Sequence, residues 1–272
     1  MKIARKLRGQ SGVTLLELLV GAALASIVVS AVTQFYVTEH YSLNQQMDAS
    51  EVQQNLRSAL QEMTDQIRMA GYGLPRDMDP VVARNANPDS ILFYYRKSET
   101  SRAELSQAMA NPLDPLRCVG FDLTEFKSNT WAYIFDHAAK SGEFFYMSSV
   151  DNGSQEITHP LVPLTKSYPS GSEVIAVEII RYYIDRTVPA HPNLMRSRQG
   201  EGAVVFSEGV DSLQFSYQLT SGAWTDAPGA GRLVRAVRVS LSALGKGDTD
   251  GVLQGARHRR LSTQVNIRNL AM

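Results

Sequence analysis

One carboxylate stands where a carboxylate is expensive. Residues 13–32 read VTLLELLVGAALASIVVSAV, an apolar run holding a single charged side chain, Glu17. An ionisable group inside a stretch able to enter a bilayer is by default a functional group awaiting a partner, because hydrocarbon offers it no solvation. The remaining reactive types are scattered. His40, His137, His159, His191 and His258 show no metalloprotease spacing, and neither a nucleophile elbow nor a phosphate loop occurs. The chain is therefore not read as an enzyme, and no cofactor or metal is expected. Residues 247–251 (GDTDG) resemble the start of a calcium loop but lack its later ligands, so a solvated turn is the preferred reading. The basic run 257–260 (RHRR) suits a charged strand edge that deters aggregation better than a nucleic-acid contact. Cys118 is the single cysteine, so no intrachain disulfide exists, and a buried apolar role is expected of it.

The elements that must position Glu17 follow from patterning. A helix over residues 13–37 is about 37 Å long, enough to cross a hydrocarbon core of about 30 Å. Lys2, Arg5, Lys6 and Arg8 precede it and mark the cytoplasmic side. Beyond residue 37 the apolar positions Val52, Leu56, Leu60, Met63, Ile67 and Ala70 recur every three or four residues, which predicts an amphipathic continuation to residue 74. Gly71, Gly73 and Pro75 then end the helix. Further on the period becomes two. Strands are expected at residues 91–95, 143–147, 174–184, 203–206, 213–219, 237–241 and 261–267, with turns at 151–153 and 245–251. Residues 76–140 read as loops around short elements, with Asn87-Pro88, Asn111-Pro112 and Asp114-Pro115 as breakers. The fold class is α+β: a long N-terminal helix whose amphipathic half packs on an antiparallel sheet.

Three readings of the N-terminus compete. Ala23-Leu24-Ala25 offers a secretory cleavage site, and the apolar run also suits a plain signal anchor. Neither accounts for Glu17. The segment Gly12-Val13-Thr14-Leu15-Leu16-Glu17-Leu18-Leu19-Val20 resembles the recognition and methylation motif of type IV prepilins. The resemblance implies cleavage by prepilin peptidase after Gly12, N-methylation of Val13, and pairing of Glu17 with the new amino group of Val13 in a neighbouring subunit. Such a pair is favourable in low dielectric only once its members meet, which would favour docking in register. The sequence departs from the family in having Val13 where Phe is usual and in lacking a helix proline. Removing residues 1–12 takes 4 of the 27 basic residues and none of the 27 acidic ones, leaving a formal net charge of −4.

The C-terminal half resembles the PilW-type minor pilins through residues 180–185 (IRYYID), 193–196 (NLMR), 209–217 (GVDSLQFSY), 233–241 (LVRAVRVSL) and 265–269 (VNIRN), and residues 66–72 (QIRMAGY) fit as well. The implied organisation is a leader at 1–12, a membrane-spanning half-helix at 13–37, an amphipathic half-helix at 38–74 and a head at 75–272. The implied partners are prepilin peptidase, other minor pilins, the major pilin, the inner-membrane assembly platform and membrane lipid, with no nucleic acid. The implied place is the inner membrane with a periplasmic head, then the pilus. A type II secretion J-like pseudopilin shares this plan, and an anchored periplasmic enzyme or receptor domain is the alternative of a different class.

Overall fold

The computed structural model describes residues 13–86, 88–120, 123–160, 162–189, 192–244 and 258–267. The leader, Gly12, His191, Arg257 and the 245–251 turn lie outside the described residues. The chain divides into two units, Met1–Ser50 and Glu51–Met272. Helix α1, Leu15–Arg68, contributes to both. It ends six residues short of the expected position, for a local reason. After Arg68 the N–H groups of Met69, Ala70 and Tyr72 reach back three residues instead of four, and Gly71 and Gly73 take positive φ (78° and 65°). Gly71 N–H then donates to Tyr94 O at 2.9 Å and Arg96 N–H to Tyr72 O at 2.8 Å, so the turn is pinned to a strand. Gly73 is required for space as well as for φ, since a Cβ there would sit 2.6 Å from Arg96 Nε.

In the larger unit the strands are β1 (Val81–Arg84), β2 (Ser90–Arg96), β3 (Arg102–Leu105), β4 (Leu116–Val119), β5 (Thr130–Asp136), β6 (Ser141–Met147), β7 (Ser149–Asp151), β8 (Glu156–Thr158), β9 (Glu173–Asp185), β10 (Asn193–Arg198), β11 (Ala203–Glu208), β12 (Val210–Leu219), β13 (Trp224–Thr225), β14 (Val234–Leu244) and β15 (His258–Asn266). All pairings between them are antiparallel. They form an 11-stranded sheet and a second of four strands ordered β13-β12-β14-β15. Strand β9 organises the larger sheet. Its residues 173–176 pair with β3 and β5, whereas residues 177–185 pair with β2 and β10.

The amphipathic stripe of α1 is the core of the head. Leu56, Leu60, Met63, Ile67 and Ala70 are buried in one cluster with Ile91, Phe93, Ile180 and Tyr182 of the large sheet and with Leu213, Phe215, Tyr217, Val237 and Val239 of the small one. The helix thus fills the space between both sheets, and Val52 is packed at the margin of the same cluster. The expected α+β arrangement is present, with two sheets on the stripe where one was expected. A second cluster around Leu116, Phe145, Ile157 and Val174 holds Cys118, whose thiol is pushed up to about 12 by burial and so stays protonated.

Residues 76–140, read as loops around short elements with a strand at 91–95, hold among the described residues five strands, β1 to β5. The strands β1, β3 and β4 have four residues each, too few for a periodic signal, and β5 is buried on both faces from Ala132 onward, so it reads as an apolar run with no alternation. The Asp151 turn formed as expected, its carboxylate accepting from Gly153 N–H at 2.8 Å.

Asp89 joins the two sheets. It is buried, and its carboxylate accepts Ala86 N–H at 3.0 Å and, across 126 residues, Phe215 N–H at 2.8 Å, while its own N–H donates to Leu213 O at 3.0 Å. Asp89→Ala strands the Phe215 donor away from water, a loss of about 1–3 kcal/mol from that group alone. Urea unfolding should show the midpoint fall in Asp89→Ala and recover in part in Asp89→Asn, which keeps an acceptor. An unchanged midpoint in Asp89→Ala would contradict this role.

Candidate functional site

The smaller unit carries the residues singled out for chemistry. Residues 13–47 are exposed throughout, and the most apolar window of α1 has a mean hydropathy of 2.3 with none of it buried. Fourteen large apolar side chains between Val13 and Val37 are exposed. At roughly 1.5–3 kcal/mol per side chain, covering them is worth upward of about 20 kcal/mol, so this surface belongs in lipid or against other helices. The polar groups of the span suit that setting. The hydroxyls of Ser26, Thr33 and Thr38 donate to the carbonyls of Ala23, Val29 and Gln34 at 2.8–2.9 Å. Tyr36 and Tyr41 lie at its far end, where rings with a polar tip favour a membrane–water boundary.

Glu17 has a local partner that the sequence reading passed over. Glu17 Oε2 accepts Thr14 N–H at 3.0 Å and the Thr14 hydroxyl at 3.1 Å, while Thr14 Oγ1 accepts Glu17 N–H at 3.2 Å. This is a capping box: two backbone donors left over at the start of α1 are satisfied reciprocally, and the carboxylate lies near the positive end of the helix. The signal for it was legible as Thr-x-x-Glu ahead of an apolar run, within the quoted motif. Val13 stands outside the helix next to Thr14, and Leu15 is the first helical residue. Within one chain the structure brings Glu17 to Thr14.

The other candidates resolve into structure. His159 is buried, with its ring nitrogens 3.2 Å and 3.1 Å from the carbonyl oxygens of Pro160 and Asp114. His137 lies 3.2 Å from Glu173, beside the ion pairs that Arg96 and Arg102 make with the same carboxylate. Among the described residues no three His, Cys, Asp or Glu side chains converge as a metal site. Arg259 and Arg260 lie on β15, an edge strand of the small sheet, which suits the reading of a protected edge.

The chain matches the prokaryotic N-terminal methylation motif over residues 7–33. No curated protein and no solved structure matches the chain. The matched segment contains Gly12, Val13, Thr14 and Glu17 and most of the apolar surface of α1. It implies processing by prepilin peptidase, membrane anchoring and assembly with other pilins. With the capped apolar helix and the antiparallel head, the motif supports a type IV pilin-like or pseudopilin-like protein.

Proposed function

We propose that the chain is a minor pilin of a type IV pilus, of the PilW type, cut after Gly12, methylated at Val13, and active in priming pilus assembly at or near the tip. It acts by docking and not by turnover. The observation that carries this is the conjunction, in one segment, of the methylation motif with an apolar helix whose described residues 13–47 are exposed. In the membrane, lipid covers that helix. In the filament, the helices of other minor pilins and of the major pilin would do so, after extraction by the inner-membrane assembly platform.

Cleavage turns the Val13 nitrogen from a peptide group into an ammonium four residues from Glu17. The carboxylate then has two claims on it: the Thr14 donors of its own helix and the ammonium of a neighbour. The capping box holds it while the subunit waits in the membrane, with the head in the periplasm, and the ammonium adds a charge-assisted bond on docking. The strings at residues 180–185, 209–217 and 233–241 support the PilW assignment; they map to β9, β12 and β14, the strands that enclose the α1 stripe.

The test is fractionation with and without the peptidase. The chain should appear in sheared filaments at low abundance beside the major pilin, and should remain as precursor in the inner membrane when the peptidase gene is deleted. Absence from filaments, with normal pilus number when this chain is deleted, would contradict the proposal.

A further inference from the structure

The head carries a groove of about 560 Å³ that the pilin reading leaves unused, well inside the range of about 300–1,000 Å³ common for small-molecule sites. We infer that it binds a pyranose sugar bearing a carboxylate. The groove lies where the β5–β6 hairpin meets β2, β9 and β10, on the opposite sheet face from the α1 stripe: its Leu92, Tyr94, Ile179 and Arg181 alternate with Ile91, Phe93, Ile180 and Tyr182 of the core. Two aromatic pairs line it. Trp131 and Tyr146, cross-strand neighbours on β5 and β6, meet edge to face at 5.6 Å, and Tyr94 lies 4.6 Å from Phe144. Trp131 keeps 45% of its surface exposed. Exposed rings of this kind offer a face to the C–H surface of a sugar ring, whose hydroxyls then point to the rim.

The rim is polar. The Asn129 side-chain oxygen accepts the Tyr146 hydroxyl at 3.4 Å, and its amide nitrogen is a further donor at the rim. Among the described residues Arg181 is the one charged residue lining the groove, and in the strand register it stands opposite Ser197. Its guanidinium lies 4.7 Å from the centre of the Tyr183 ring, and among the described residues it makes no ion pair. An aromatic floor with one uncompensated cation calls for a ring with a negative charge.

Gln199 argues against an extended peptide. Its side-chain amide occupies the strand edge where β5 and β10 part along β9, accepting Trp131 N–H at 3.0 Å and donating to Trp131 O at 2.8 Å and Val177 O at 3.0 Å. At Trp131 and Val177 the backbone groups an added strand would need are therefore taken.

The inference does not depend on the pilin reading. Its test uses the full chain in lipid nanodiscs, free of sugar-based detergent, with Trp224→Phe so that Trp131 is the sole tryptophan reporter. The probes are the methyl glycosides of glucuronic, galacturonic and N-acetylneuraminic acid, with methyl glucoside as the uncharged control. At least one acidic glycoside should change Trp131 fluorescence saturably, about tenfold more tightly than methyl glucoside. Arg181 is exposed, so Arg181→Gln should keep the fold and erase that preference. Saturation transfer to the sugar protons should be lost in Trp131→Ala and weakened in Tyr146→Ala. The inference is overturned if no acidic glycoside binds more tightly than methyl glucoside, if Arg181→Gln leaves the preference intact, or if a tripeptide ending in phenylalanine binds and none of the sugars does.

Discussion

Glu17→Ala and Glu17→Gln should both leave cleavage at Gly12 intact and lower incorporation into filaments by about tenfold or more, the loss expected when a buried ammonium is left without its carboxylate. The two substitutions separate two functions of one side chain. Glutamine can still accept the Thr14 N–H at the third position of a capping box, so Glu17→Gln keeps the helix start and removes only the charge. Alanine removes both. Insertion into the membrane should be unharmed in each, since an expensive charge has been taken away. The measurement compares cleaved protein in the inner membrane with protein in sheared filaments, alongside surface pilus number. Wild-type incorporation by Glu17→Gln together with failure of Glu17→Ala would assign the residue to capping alone. Wild-type behaviour of both would remove the pairing mechanism.

Deleting residues 1–40 should convert a detergent-dependent protein into a soluble monomer with one cooperative unfolding transition. Among the described residues every large apolar side chain removed is exposed, while the buried stripe of α1 begins at Leu56, with Val52 at its margin. The cut therefore leaves the core complete. Moving it to residue 58 removes Leu56, which is 1% exposed, and should cost about 2–5 kcal/mol by the usual scale for deleting a buried leucine. Gel filtration and urea unfolding of the two fragments check both statements. A fragment 41–272 recovered only in detergent, or without a cooperative transition, would mean that the division of the helix is misplaced.

What could be read from the sequence was what is local. The apolar run, the three-and-four spacing after residue 50 and the alternation in β12, β14 and β15 each follow from contacts repeated along a single element, and each was present. The long β9 was recognised as a strand, but its division between two sets of partners depends on β2, β3 and β5, which lie far back along the chain, as well as on the nearby β10. Asp89 carries no local signal, because its partner at Phe215 lies 126 positions on. Gln199 was invisible for the same reason, its contacts to Trp131 spanning 68 residues. The pairing of Thr14 with Glu17 is local, three residues apart, and is legible as Thr-x-x-Glu. The intersubunit partner of Glu17 follows from no feature of a single chain; it rests on the motif at residues 7–33.

The central claim is that residues 13–37 serve as a processed assembly helix and not as a cleaved signal or permanent anchor, and the intact mass of the protein extracted from membranes tests it most directly. The expected mass is that of a chain beginning at Val13 and carrying one additional methyl group on its N-terminal nitrogen. A chain that retains Met1 in cells with an active prepilin peptidase, or one that begins at Ser26 after the Ala23-Leu24-Ala25 site, would contradict it.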